Sequence, residues 1–360
     1  MKGDYTMKNI GKVSLFVLST CLITSCGNTT RDYKECSDEY VQTMNYSDGF
    51  VIAQLTDVHW STGTDGVDSH NYMNKLISEI KNHYGKIDLI EFTGDQFMLS
   101  NASTVKDFLA WTETLDIPYA TVWGNHDIEG TYNPNWLSEQ FMKAEHSLYT
   151  EVDNDNVHGR SNYVINLLND NNEVAWQIVN LDSGASLTDS AVKPTRSYDY
   201  IRQDQADWWK YEHDKAGANV PTIAYYHIAQ KEVADAWEKK DSLNNKYYKL
   251  EGFANSSLKA ASEKAPFFEI AKDNGLKATF MGHCHANDWT VDYEGVTLGF
   301  GVKSNIELYY GSVDAEGNDE GFDLIGASCV KLHDGGTFDL EHVYLNERST
   351  TDFVKWVSYK

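Results

Sequence analysis

Three short, largely apolar runs, Phe50–Leu55, Asp88–Phe92 and Pro118–Trp123, are separated by Tyr72–Tyr84 and Thr104–Leu115, whose apolar residues recur at helical spacing. Runs of five or six residues suit strands covered on both faces, and strands alternating with helices build βαβ units around a mostly parallel sheet. The pattern continues with strands expected at Tyr163–Leu168, Val174–Asn180, Thr222–Tyr226 and Ala278–Met281, and helices at Gln203–Lys215 and Leu258–Asp273. After residue 288 the texture changes: Trp289–Tyr293, Val296–Phe300, Leu324–Leu332 and Thr337–Tyr344 read as antiparallel strands joined by Gly-rich turns. Two strand-rich halves imply an α/β fold in four layers, an α-β-β-α sandwich of two mixed sheets packed face to face with helices outside. The polar stretch 231–256 reads as an insertion, and a chain of 360 residues has ample length for such a core.

The N-terminus reads as a targeting segment. Lys8 and Lys12 precede an apolar stretch from Val13 to Ile23, too short to span a bilayer and suited to a signal peptide over residues 1–25. It closes on Leu22-Ile23-Thr24-Ser25-Cys26, which resembles a bacterial lipoprotein cleavage site, so Cys26 is the expected lipidation site. The other reading is an ordinary signal peptide that happens to contain this cysteine. Translation can start at Met1 or Met7. Residues 26–48 are then a lipidated cysteine and a polar tether. The expected location is the bacterial cell envelope, periplasmic or surface exposed, with a membrane partner through the lipid. Cys36, Cys284 and Cys329 remain in the mature chain; three scattered cysteines make neither a disulfide framework nor a thiolate metal site, although one bridge is possible.

The formal charge is −24, which repels nucleic-acid backbones and argues against a protein that coats them. A phosphate-bearing small molecule meets the same repulsion unless the site concentrates positive charge, and bound metal ions supply that.

Five motifs each follow an expected strand, where open α/β sheets place their ligands: Asp57-Val58-His59, Gly94-Asp95, Gly124-Asn125-His126-Asp127, His227 and Gly282-His283-Cys284-His285. Carboxylate, amide oxygen and imidazole nitrogen are ligands for borderline divalent metals. Singly these signals are weak, since Gly-Asp is a common turn and a lone histidine is more often structural. Their order and their positions after strands carry the argument.

With those residues in place, the sequence resembles the calcineurin-like metallophosphoesterase family, whose ordered signature is Asp-x-His, Gly-Asp, Gly-Asn-His-Asp/Glu, a lone His and Gly-His-x-His. The similarity runs from about Phe50 to about Gly301. Gln54–Trp60, Phe92–Gln96, Leu181-Asp182-Ser183-Gly184 and Ala224–Ile228 resemble the branch of small phosphatases related to plant purple-acid-phosphatase-like proteins and a yeast Dcr2-type phosphatase. The resemblance implies a phosphoesterase domain over 49–345 followed by a C-terminal tail, 346–360. It implies two divalent metal ions (Mn, Fe or Zn). Asp57, His59 and His285 would hold the first, Asn125, His227 and His283 the second, and Asp95 would bridge them. His126 and Asp127 would be catalytic, His126 facing the substrate and Asp127 hydrogen-bonding its ring. The implied reaction is hydrolysis of phosphate mono- or diesters by a hydroxide shared between the metals. One departure stands out: Met98 occupies the place of the tyrosine that colours purple acid phosphatases, so a colourless protein is expected.

Trp60 is expected to pack at the rim or stack on a substrate, Arg160 and Arg196 to sit on the surface or clamp a second acidic group, and Cys284 to fill space. The competing reading is an inactive ligand- or protein-binding lipoprotein on the same scaffold. A third reading, a mononuclear metalloprotease, is disfavoured by the lack of a His-Glu-x-x-His helix.

Overall fold

The structure, a computed structural model, describes residues 40–359 apart from 63, 99, 129–132, 153–155, 188–196, 244–259, 262, 286, 307–324 and 347–352. The expected signal peptide, Cys26, Cys36 and Arg196 lie outside the described residues. In chain order the strands are β1 (Val41–Asn45), β2 (Phe50–Leu55), β3 (Leu89–Thr93), β4 (Tyr119–Val122), β5 (Tyr163–Leu168), β6 (Val174–Asn180), β7 (Ser186–Leu187), β8 (Ser197–Tyr198), β9 (Thr222–Tyr225), β10 (Leu276–Met281), β11 (Thr290–Tyr293), β12 (Val296–Phe300), β13 (Gly326–His333), β14 (Thr337–Asn346) and β15 (Phe353–Tyr359). The helices are α1 (Thr64–Tyr84), α2 (Ala102–Thr114), α3 (Pro134–Lys143), α4 (Gln203–Ala216), α5 (Lys231–Glu238) and α6 (Pro266–Lys272). No helix among the described residues is long and apolar enough to cross a membrane.

Two mixed sheets carry the fold. One is ordered β1-β5-β6-β9-β10-β12-β11 and the other β15-β14-β13-β2-β3-β4; β7 and β8 form a separate ribbon. Strands β2, β3 and β4 run parallel, as do β6, β9, β10 and β12. β2, β3, β4 and β9 are buried at every position because both faces are covered. The sheets face each other: Gln54 Nε2 of β2 donates to Met281 O of β10 at 3.2 Å, and Tyr163 Oη of β5 donates to Thr121 O of β4 at 2.9 Å. Helices close the outer faces. On one side Phe108 of α2 packs edge-on against Phe92, and Tyr72 of α1 bonds Leu345 O; on the other, Trp209 of α4 donates to Gln177 of β6. The expected layering is the observed one. Helix α2 begins where the Asn101 side chain accepts the N–H groups of Ser103 and Thr104.

Three segments differ from the expectation. Residues 41–45, read as tether, form edge strand β1, parallel to β5. The segment read as a C-terminal tail contains β15, antiparallel to β14. The expected helix Leu258–Asp273 is shorter: Ala260 and Ala261 are not helical, and α6 starts at Pro266, whose ring disfavours helical backbone in the residue before it.

A polar layer lies between the sheets beneath the strand ends, where Gln54, Glu91, Asn180 and Tyr225 have essentially no exposed surface. Burial drives the Glu91 carboxyl well above the usual range, and Asn180 relieves this only in part.

Candidate metal centre

Asp57 follows β2, Asp95 follows β3 and Asn125 follows β4, three neighbouring parallel strands of one sheet. His227 follows β9 and His283 follows β10, neighbours in the other. The motifs therefore converge from two sheets onto one rim. The loops are knitted together by backbone bonds from Asp57 N to Gly94 O (3.0 Å) and from His59 N to Asp95 O (2.9 Å).

The convergence is tight. Asp57, His59, Asp95 and His285 form one group whose ligand atoms lie within 4.8 Å of one another, and Asp95, His227 and His283 form a second. Asp95 belongs to both. His285 Nε2 lies 3.2 Å from Asp57 Oδ1 and 3.1 Å from His59 Nε2, and His227 Nε2 lies 3.2 Å from Asp95 Oδ2. Asp57, His59, Asp95 and His283 all take left-handed backbone, with φ between 46° and 71°. Such backbone in non-glycine residues is costly and gathers at functional sites.

Two glycines show why the motifs need them. A Cβ on Gly124 would sit 2.1 Å from Asp95 Oδ1, and one on Gly282 would sit 1.9 Å from Thr56 Oγ1 and 2.7 Å from Asp57 Oδ2. Each glycine lets its loop close onto a carboxylate from another motif.

Charge follows the geometry. Burial would raise the Asp57 carboxyl, but the charge of His285 and its hydrogen bond hold it well below the usual range. For Asp95 burial is likewise overcome, here by His227. His227 is pushed up to about 9, since Asp95 outweighs the effect of burial. His59 is pushed down to about 3 by burial, with the Lys303 ammonium adding to it. His227 Nδ1 lies 2.8 Å from Thr93 O, which leaves Nε2 turned toward Asp95. Ser183 Oγ accepts the N–H groups of His227 and Ile228 at 3.2 and 2.8 Å.

The residues fit metal ions. Asn125 Oδ1 is buried without a hydrogen-bond partner among the described residues, a costly state that a cation beside it relieves. Two imidazole nitrogens facing each other at 3.1 Å beside two buried carboxylates form a donor set for borderline divalent ions.

His126 is half-buried, its ring centroid 5.7 Å from that of His59, and its N–H donates to Asp95 Oδ1 at 2.9 Å. The role expected for Asp127 is corrected. Its carboxylate accepts the N–H groups of Gly124 and Phe97 at 2.8 and 2.9 Å, so it braces the two loops rather than orienting the His126 ring. Burial, then the charge of Asp95, raises this carboxyl well above the usual range. Trp60 is buried, packs on Phe108 and Trp111, and donates Nε1 to Asp107, so it is a packing residue. Arg160 is paired with Glu151 at 3.4 Å. Cys284 and Cys329 are buried and form no disulfide among the described residues. Ser183 and Thr93 were not singled out as site residues; their sequence signal is their place in Leu181-Asp182-Ser183-Gly184 and Phe92–Gln96, two segments that resemble one branch of small phosphatases.

Two mixed sheets between helices, with carboxylates and histidines gathered at one rim of strand ends, define a metal-binding phosphoesterase scaffold. The model of the calcineurin-like phosphoesterases matches residues 50–287, and the chain belongs to that family. It is 27% identical over 264 residues to Phosphatase DCR2 of Saccharomyces cerevisiae, a match covering 67% of this chain and 44% of the yeast protein. The chain thus spans less than half the length of that relative. It is 25% identical over 292 residues to "Probable inactive purple acid phosphatase 29" of Arabidopsis thaliana, covering 70% of this chain and 71% of the plant protein. A dimetal phosphatase from Danio rerio shares the fold with a TM-score of 0.50 at 10% identity, covering 87% of this chain and all of that one.

Proposed function

We propose that this chain is a metal-dependent hydrolase of phosphate mono- or diesters acting through two divalent ions, Mn, Fe or Zn. The observation that carries this reading is the sharing of Asp95 between two groups of candidate ligands, Asp57, His59 and His285 on one side and His227 and His283 on the other. Asp57, His59 and His285 would hold one ion, Asn125, His227 and His283 the other, with Asp95 common to both. When bound, such ions concentrate positive charge on a phosphoryl group and bring the pKa of a water toward neutrality. The chain's own residues do the rest. Asp95 fixes the spacing of the two ligand groups, because its backbone, its carboxylate and the His126 N–H are bonded into one unit. Thr93 and Ser183 orient His227. His126 lies at the rim with an imidazole able to pass a proton to the leaving oxygen.

Asp95→Ala should abolish metal content and activity together. His126→Ala should lower turnover about 100-fold or more with both ions retained. Loss of the ions in the His126 variant would refute its assignment. Paired assays with p-nitrophenyl phosphate and bis-p-nitrophenyl phosphate separate monoesterase from diesterase. The word "inactive" in the plant relative's name favours a second reading, a binding protein on this scaffold. Metal-loaded protein that hydrolyses neither ester would establish it. The lipid anchor at Cys26 and a place in the bacterial cell envelope belong to the same proposal. Cys26→Ala should release the protein from the membrane fraction.

A further inference from the structure

Lys303 is an unusual residue to find here. It has 1% of its surface exposed, and its neighbours Ser304 and Asn305 have none. A lysine is rarely buried so completely, because desolvating an ammonium is expensive unless oxygen atoms surround it. One of the two oxygens it meets belongs to the turn that carries Asp57 and His59, the other to its own segment. Lys303 Nζ donates to Asp57 O at 2.7 Å and to Asn305 O at 3.0 Å. Asn305 Nδ2 donates to Val58 O at 2.9 Å. Ser304 Oγ accepts Thr56 N at 2.9 Å, and Ser304 N donates to Thr56 O at 2.9 Å. Every carbonyl from Thr56 to Val58 is therefore held by three consecutive residues that lie just beyond β12.

This turn needs holding. Asp57 and His59 sit at φ 51° and 46°, and released carbonyls would let the backbone relax from that conformation. The other ligand group is held differently: His227 is fixed by Thr93 O and Ser183 Oγ, and no bond described joins either to Lys303, Ser304 or Asn305, although Thr93 O also accepts Thr56 Oγ1 at 3.3 Å and the Asp57 carboxylate accepts the His283 N–H at 2.9 Å.

We infer that Lys303, with Ser304 and Asn305, forms a positioning strap for one metal site only, that of Asp57, His59 and His285. The inference rests on the two-metal reading above. Lys303 acts through the ligand turn, so its loss should separate the two sites instead of abolishing both.

The test is titration of the full chain, stripped of metal, with Mn²⁺ alone, followed by calorimetry and elemental analysis. Wild type should bind two equivalents. Lys303→Met should keep one and weaken the other about 10–100-fold, the usual effect of removing a group that supports a ligand. Lys303→Arg, which keeps the charge and the donors, should recover the second equivalent, a rescue that simple core filling would not produce. Circular dichroism and thermal melting check that the variants fold. Should Lys303→Met fail to fold, Asn305→Ala, which removes the bond to Val58 O and the acceptor of the Ile306 N–H, should weaken the same single equivalent. Two equivalents of wild-type affinity in Lys303→Met, or in a folded Asn305→Ala when the lysine variant does not fold, would overturn the inference alone. Wild-type protein that binds no Mn²⁺ would overturn the two-metal reading and this inference with it.

Discussion

Glu91 offers a measurement independent of catalysis. It sits on β3 with no exposed surface, beside Asn180, and burial holds its carboxyl well above its ordinary value of 4.5. In the folded chain Glu91 keeps its proton above pH 4.5, while in the unfolded chain it releases it. The folded state thus binds more protons across that window, and stability falls as pH rises until the folded carboxyl itself titrates. One proton of difference costs about 1.4 kcal/mol per pH unit wherever the folded carboxyl keeps its proton and the unfolded one has lost it. Glu91→Gln keeps the shape and removes the proton. Urea unfolding of both metal-free proteins, followed by tryptophan fluorescence at several values between pH 4.5 and 7, gives the difference directly. The variant should gain on wild type by that slope as pH rises. Parallel stability–pH profiles would refute the argument, since they would mean that Glu91 titrates alike in both states.

Three further outcomes are expected. Gly124→Ala places a Cβ 2.1 Å from Asp95 Oδ1, so the carboxylate must move by more than 1 Å and turnover should fall about 100-fold, with metal content measured alongside; normal kinetics would show that the loop yields freely. Chelation should lower the unfolding free energy from urea titration, by about 2.7 kcal/mol when free metal had stood at 100 times its dissociation constant; an unchanged urea midpoint speaks against ions bound to the folded state. The metal-loaded protein should be colourless because Met98 stands where a colouring tyrosine would be, and a strong visible band would contradict this.

Much of this was legible in the chain, for reasons that individual residues make plain. β2 is a buried run of six and could hardly be anything but an inner strand. β1 was missed because Val-Gln-Thr-Met-Asn is an edge strand with half-exposed residues that reads like a linker. β15 alternates weakly and borders water, so its composition resembles a tail. The metal ligands were visible because their chemistry lies in side chains of rare type. Lys303 and Ser183 were not, because they act through backbone groups of residues more than a hundred or about forty positions away, a relation that only the folded chain creates. Asp127 was misread for the same reason: its bonds go to two main-chain N–H groups.

The left-handed backbone at Asp57, His59, Asp95 and His283 limits what could be borrowed from this protein. An L-residue in that conformation sacrifices roughly 1–2 kcal/mol, so four such residues would unwind in any short peptide copied from these loops. A designer wishing to graft the centre elsewhere must transplant the surrounding strands and the main-chain bonds between loops. The recipe for this centre is written in its scaffold as firmly as in its converging side chains.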